Sequence, residues 1–167
     1  MKVVVMGVSG CGKSTIGKLI ASHCGAAFID GDDLHPSENV TKMSQGIPLN
    51  DDDRWPWLDI VGQELRDRGA CVIACSALKR SYRARILRLA PETVFIHLHG
   101  SRETLQERLE NREDHFMPTT LLDSQLSTLE NLAADEPGQQ FDIQLDKEEL
   151  FESICSWLES SRGKLQA

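Results

Sequence analysis

Positive charge is scarce in this sequence, and no apolar run is long. It carries 18 lysines and arginines against 26 aspartates and glutamates, a formal net charge of −8 with a pI near 5.1. This balance argues against nucleic acid as the main partner, because surfaces that bind a phosphodiester backbone are usually basic. A small-molecule substrate fits better. No apolar stretch approaches the ~20 residues that span a bilayer, and Val3-Val4-Val5-Met6 runs into a glycine loop rather than a cleavage site. A soluble, cytoplasmic protein with no membrane partner is expected. The five cysteines are an odd number without C-x-x-C spacing, so they read as reduced, mostly buried thiols rather than a disulfide framework. No repeat, low-complexity tract or linker breaks the 167 residues, which predicts one domain over 1–167.

What is present begins at residue 7. Gly7-Val8-Ser9-Gly10-Cys11-Gly12-Lys13-Ser14 fits the pattern G-x-x-x-x-G-K-[ST] without a mismatch, directly after the first apolar run. Ile16, Leu19, Ile20 and His23 then recur at helical spacing, with Gly25 at the expected helix end. Strand, glycine loop and helix in this order predict a phosphate-binding loop and a bound nucleoside triphosphate. Its glycines would turn backbone N–H groups inward on the phosphates. Lys13 would reach the β- and γ-phosphates, and the Ser14 hydroxyl would ligate Mg²⁺. The nucleotide-binding set is therefore Gly7, Val8, Ser9, Gly10, Cys11, Gly12, Lys13, Ser14 and Thr15. Nothing in the sequence marks the Cys11 thiol as activated.

Further strands are predicted at 26–30, 71–75, 94–98 and 141–145, with helical patterns at 36–45, 54–68, 80–89, 102–111, 119–132 and 147–160. This alternation implies a five-stranded parallel sheet covered by helices on both faces, with ligands at the carboxyl ends of the strands.

The second predicted strand ends in Asp30-Gly31-Asp32-Asp33-Leu34-His35-Pro36. In phosphoryl transfer one carboxylate can hold Mg²⁺ while another orients the acceptor hydroxyl and takes its proton. Residues two apart on an extended chain share a side, so Asp30 is assigned to the metal and Asp32 to the substrate. The bland alternative is an acidic turn that caps a helix through Asp33. In Leu49-Asn50-Asp51-Asp52-Asp53-Arg54 the acids suit a helix N-terminus, with Asp53 as cap and Pro56 in the first turn. The Arg54 fork suits a carboxylate or a phosphate, or a partner among those aspartates.

Together the phosphate loop, the Asp30–Pro36 segment, Pro48-Leu49-Asn50-Asp51-Asp52-Asp53-Arg54, Cys75-Ser76-Ala77-Leu78-Lys79 and His115-Phe116 resemble the motifs of the gluconokinase family, in order along nearly the whole chain. The loop is generic among kinases; the L-N-D-D-D-R and C-S-A-L-K segments are far more specific. The resemblance implies a three-layer α/β/α P-loop kinase fold with a short helical lid, similar to shikimate and nucleoside monophosphate kinases. It also implies ATP-dependent phosphorylation of D-gluconate at its 6-hydroxyl, and often a homodimer. Gluconate carries a carboxylate and several hydroxyls, so Arg54, Lys79 and Arg83 are candidate cations for it, with none singled out. His35 is assigned either to a substrate hydroxyl or to its own turn. Arg85 and Arg88 read as a solvated helix face. A lid is expected at 111–120. By analogy with related kinases, Arg112 would contact phosphate, Arg108 would pack by the nucleotide, and the loop near Asp146 and Lys147 would cradle adenine. A kinase of another small acceptor and a slow nucleotide-dependent switch are the rival readings.

Overall fold

The computed structural model describes residues 1–112 and 119–165. Its centre is β1 (Lys2–Met6), whose residues Val3, Val4, Val5 and Met6 are all completely buried. The other strands are β2 (Ala27–Asp30), β3 (Cys71–Ala74), β4 (Thr93–His99) and β5 (Gly138–Asp142). All pair in parallel, in the order β2-β3-β1-β4-β5. A β1 buried on both faces has no need of polar alternation, which is why it reads as one apolar run.

Helices α1 (Lys13–Cys24), α2 (Ser37–Ser44), α3 (Asp51–Asp67), α4 (Arg80–Leu89), α5 (Arg102–Glu110), α6 (Thr119–Thr128) and α7 (Lys147–Leu165) alternate with the strands. Successive β1 side chains point to opposite faces. Val3 and Val5 meet Ile16 and Ile20 of α1 and Ile154 and Leu158 of α7. Val4 and Met6 meet Leu58 and Leu65 of α3 and Tyr82 and Ile86 of α4. The result is the expected three-layer α/β/α arrangement. The strand order reverses direction at β1, between β3 and β4, so the loop after β1 opens where such sheets bind ligands.

Several boundaries differ from the sequence reading, each for a local reason. Asn50, not Asp53, caps α3: its side chain accepts from the Asp53 N–H while the Asp53 carboxylate accepts from the Asn50 N–H, a reciprocal capping box. Pro56 consequently lies within α3, beyond its first turn. Strand β5 ends at Asp142, because the Asp142 carboxylate accepts from the Gln144 N–H and turns the chain. Helix α6 stops at Thr128, and the Glu130 N–H leaves to meet the Leu78 carbonyl at 2.8 Å. At the other end of α1, Gly25 closes the helix at φ 63° as expected.

Candidate active site

The phosphate loop joins β1 to α1, and Gly7, Gly10 and Gly12 take φ values of 141°, 87° and 95°. Side chains rarely adopt this region, so the loop's path depends on glycine. Lys13 folds back across the loop and donates to the Val8 carbonyl at 3.0 Å. Ser14 follows it in the first turn of α1. Cys11 is 1% exposed, sealed beneath the loop rather than presented to a reagent.

Asp30 ends β2 beside this loop. The chain then turns at once into a 3₁₀ segment, Gly31–Leu34, so the extended spacing expected to align Asp30 with Asp32 is not what brings them together. The turn does so instead: the Asp30 carboxylate accepts from the Asp32 N–H at 3.0 Å. Gly31 permits it, since a Cβ there would stand 2.5 Å from the Ala74 carbonyl oxygen at the end of β3. Burial and then the Asp30 charge push the Asp32 carboxyl above its ordinary value, with Lys13 acting against them and Asp33 adding to them. The Asp32 residue is nonetheless exposed to solvent, so the push from burial is a weak one. A carboxylate that feels both the loop lysine and a neighbouring acid is suited to accept a proton.

His35 stacks on Trp57 of α3 with ring centroids 4.2 Å apart, and the Trp57 indole donates to the Gly31 carbonyl at 2.8 Å. The Asn39 amide donates to the Asp53 carbonyl at 2.9 Å and meets His35 Nδ1 at 3.2 Å. The first contact orients the amide, so Nδ1 accepts and the proton belongs on Nε2. Burial, then Arg54, lowers the His35 pKa and keeps the ring neutral.

Arg54 and Lys79 converge on Asp51. Lys79 Nζ lies 3.3 and 3.2 Å from the two Asp51 oxygens, and Arg54 Nη1 lies 3.8 Å from Oδ1. Arg83 goes elsewhere. It is fully buried, paired with Glu136 at 2.7 and 3.0 Å, and donates to the carbonyls of Ala77 and Leu78 at 2.9 and 3.2 Å. Every guanidinium nitrogen is thus engaged inside the protein, and the expectation that Arg83 meets a substrate is corrected. The Arg85 guanidinium pairs with Asp59 at 2.6 Å and lies over Trp55, away from this cluster.

Arg108, in the last turn of α5, donates to the Ile143 carbonyl at 2.7 Å, and its Nη1 lies 3.8 Å from where a Cβ on Gly12 would stand. It therefore bridges the phosphate loop and the segment after β5. Arg112 is exposed just past α5. Residues 113–118 of the expected lid, His115 and Phe116 included, lie outside the described residues. Beyond them, the Gln125 side chain accepts from the Ser9 N–H at 2.7 Å, tying α6 to the phosphate loop.

This arrangement has close counterparts. A family model described as shikimate kinase matches residues 9–144. The probable gluconokinase of Xenopus tropicalis is 47% identical over 165 residues, spanning 87% of this chain and 87% of that one. The chain belongs to the gluconokinase family. The gluconokinase of Gluconobacter oxydans is 48% identical over 139 residues, covering 81% of this chain and 78% of its own. The crystal structure of a gluconokinase from Sinorhizobium meliloti superposes with a TM-score of 0.92 at 47% identity, over 99% of this chain and 95% of that one.

The sequence reading missed four contributors to this gluconokinase-family cleft: Asn39, Trp57, Tyr82 and Gln125. A polar Asn39 that is 3% exposed and a Trp57 at core spacing carry no sequence signal of their own. Tyr82, three residues past Lys79, lies one helical turn away from it, a spacing that makes the two neighbours.

Proposed function

We propose that this protein transfers the γ-phosphoryl group of ATP to the 6-hydroxyl of D-gluconate, giving 6-phospho-D-gluconate and ADP. The observation that carries the reading is the Asp32 carboxylate, held within the electrostatic reach of Lys13 and beside Asp30 at the mouth of the phosphate loop. Family membership supports the acceptor. Asp32 orients the 6-hydroxyl and takes its proton as the oxygen–phosphorus bond forms and the bond to the ADP oxygen breaks. Lys13 swings from the Val8 carbonyl to the transferring phosphates, and the loop N–H groups hold them. Arg108 flanks the nucleotide and Arg112 closes on its phosphates. Arg54 and Lys79 bind the gluconate carboxylate, and neutral His35 donates to a hydroxyl through Nε2.

Among the described residues no cluster of three or more His, Cys, Asp or Glu is built to hold a metal. Mg²⁺ in phosphoryl transfer keeps most of its shell as water and phosphate oxygen, and needs few protein ligands. Ser14 and Asp30 would hold it through their side-chain oxygens, directly or through water. When bound, the ion would neutralise charge on the phosphates.

All five cysteines are free thiols, and among the described residues no helix is long and apolar enough to cross a membrane. The enzyme is read as cytoplasmic and as a single domain, and the homodimer follows from the family resemblance alone. The test is ADP release from Mg-ATP with D-gluconate, against shikimate, glucose, glycerate, nucleoside monophosphates and no acceptor. Turnover is expected with gluconate alone and should be nearly lost in Lys13→Ala with its fold retained; preference for another acceptor would overturn the reading.

A further inference from the structure

The cation pair carries more structure than a surface cluster needs. Lys79 is the N-cap residue of α4, Tyr82 lies in the first turn of that helix, and Asp51 opens α3. The Tyr82 hydroxyl donates to Asp51 Oδ1, and Arg54 Nη1 lies 3.4 Å from the same hydroxyl. Both cations also lie against the Tyr82 ring, Lys79 Nζ at 5.5 Å from its centroid and the Arg54 guanidinium carbon at 5.7 Å. Their burial differs. The Arg54, Lys79 and Asp51 side chains are 30%, 32% and 42% exposed, whereas Tyr82 is 3% exposed and its ring packs edge-on against Trp55 at 5.7 Å. Three partly exposed charged groups therefore meet at one buried phenol.

We infer that Tyr82 and Asp51 are positioning residues that hold Arg54 and Lys79 together as a single clamp for the carboxylate of a sugar acid. This rests on the carboxylate role assigned to the two cations above. Two like charges gathered at one carboxylate would repel each other without it. The Asp51 carboxylate lies between them, and its charge leaves the trio with one net positive charge, the complement of a monocarboxylate. Tyr82 fixes Asp51 in turn. The Tyr82 hydroxyl, then Lys79 and Arg54, hold the Asp51 carboxyl below the usual carboxylate range, so it stays ionised as an acceptor. Burial first, and then the bond to Asp51, push the Tyr82 hydroxyl up to about 12, so it stays a donor. Ordering the cations before substrate arrives lowers the entropy lost on binding.

Tyr82→Phe keeps the ring and removes only the hydroxyl. Hydrogen bonds to charged groups of this kind correspond to roughly a tenfold change in affinity. In the full chain, KM for gluconate is expected to rise about tenfold while KM for ATP stays within about twofold. Competitive inhibition by D-glucitol, which has a hydroxymethyl group where gluconate has its carboxylate, should not weaken. Asp51→Asn should behave alike, and its partly exposed site keeps the test open if Tyr82→Phe folds poorly. An unchanged gluconate KM in both variants, an equal rise for ATP, or an equal weakening of D-glucitol would overturn the inference. Arg54→Met and Lys79→Met separate the two levels. If neither raises the gluconate KM, the carboxylate role of the cations fails and the clamp with it; if either does while Tyr82→Phe and Asp51→Asn do not, only the positioning inference fails.

Discussion

The indole N–H of Trp57 donates to the carbonyl of Gly31 at 2.8 Å, tying α3 to the acidic turn that ends β2. The same indole carries His35 on its face. One buried side chain thus fixes both the turn bearing Asp32 and the imidazole beside it.

Trp57→Phe should therefore affect stability and acceptor binding together. A phenyl ring fills most of the space but leaves the Gly31 carbonyl without its donor, at a cost of about 1–3 kcal/mol. Thermal denaturation is expected to show the loss, and steady-state kinetics a gluconate KM that rises more than the ATP KM. Unaltered kinetics would separate the tryptophan from the site.

Arg83 and Glu136 form an ion pair whose side chains are 0% and 6% exposed. Removing one member strands the other's charge in the interior, typically at ~3–5 kcal/mol. Arg83→Met and Glu136→Gln should both lower the melting temperature by at least about 6 °C for a chain of this size. Surviving folded enzyme should bind gluconate normally; a selective rise in gluconate KM without loss of stability would return Arg83 to the substrate.

In the proposed reaction Asp32 sets stability against chemistry. Its pKa is raised in the folded state, so the folded protein binds its proton more tightly than the unfolded chain does. Stability from this group is highest below the unfolded carboxylate pKa and falls as pH rises through the folded value. At neutral pH Asp32→Asn removes an unfavourable charge. Differential scanning calorimetry should show a higher melting temperature, an effect damped by solvent around this exposed side chain, while kcat falls far more than ATP affinity. A mutant that is both inactive and less stable would assign Asp32 a structural role.

His97 on β4 is 1% exposed, and among the described residues neither ring nitrogen has a hydrogen-bond partner. Burial, then His99 and Arg83, depress its pKa to about 4. The sign is opposite to that of Asp32. The unfolded chain takes a proton near pH 6.5, where folded His97 does not, so stability is full above that pH and declines from about 6.5 down to about 4. The loss is on the order of 2–3 kcal/mol across this window. Urea unfolding at pH 7 and pH 5 measures it, and His97→Leu should flatten the difference. An equal pH dependence in the variant would move its origin to another group.

Local chemistry was enough to reveal the phosphate loop, the alternation of strands and helices and the acidic end of β2. A glycine that must adopt positive φ, a strand buried on both faces and a helix with one apolar stripe each leave their pattern within a few residues. The direction of the arginines was not legible in the same way. Arg54 and Arg83 carry the same group near the starts of neighbouring helices, yet one meets Asp51 in the cleft and the other meets Glu136 in the interior. Glu136 stands 53 residues from Arg83, and Tyr82 stands 31 residues from Asp51. Such pairings follow from how helices pack across the sheet, where desolvation and partner geometry act over distances no local pattern records. The sequence by itself determined the glycine loop between the first strand and the first helix, and the tertiary structure decided which cations remained partly exposed near it, because only packing sets which charged groups can satisfy one another away from water.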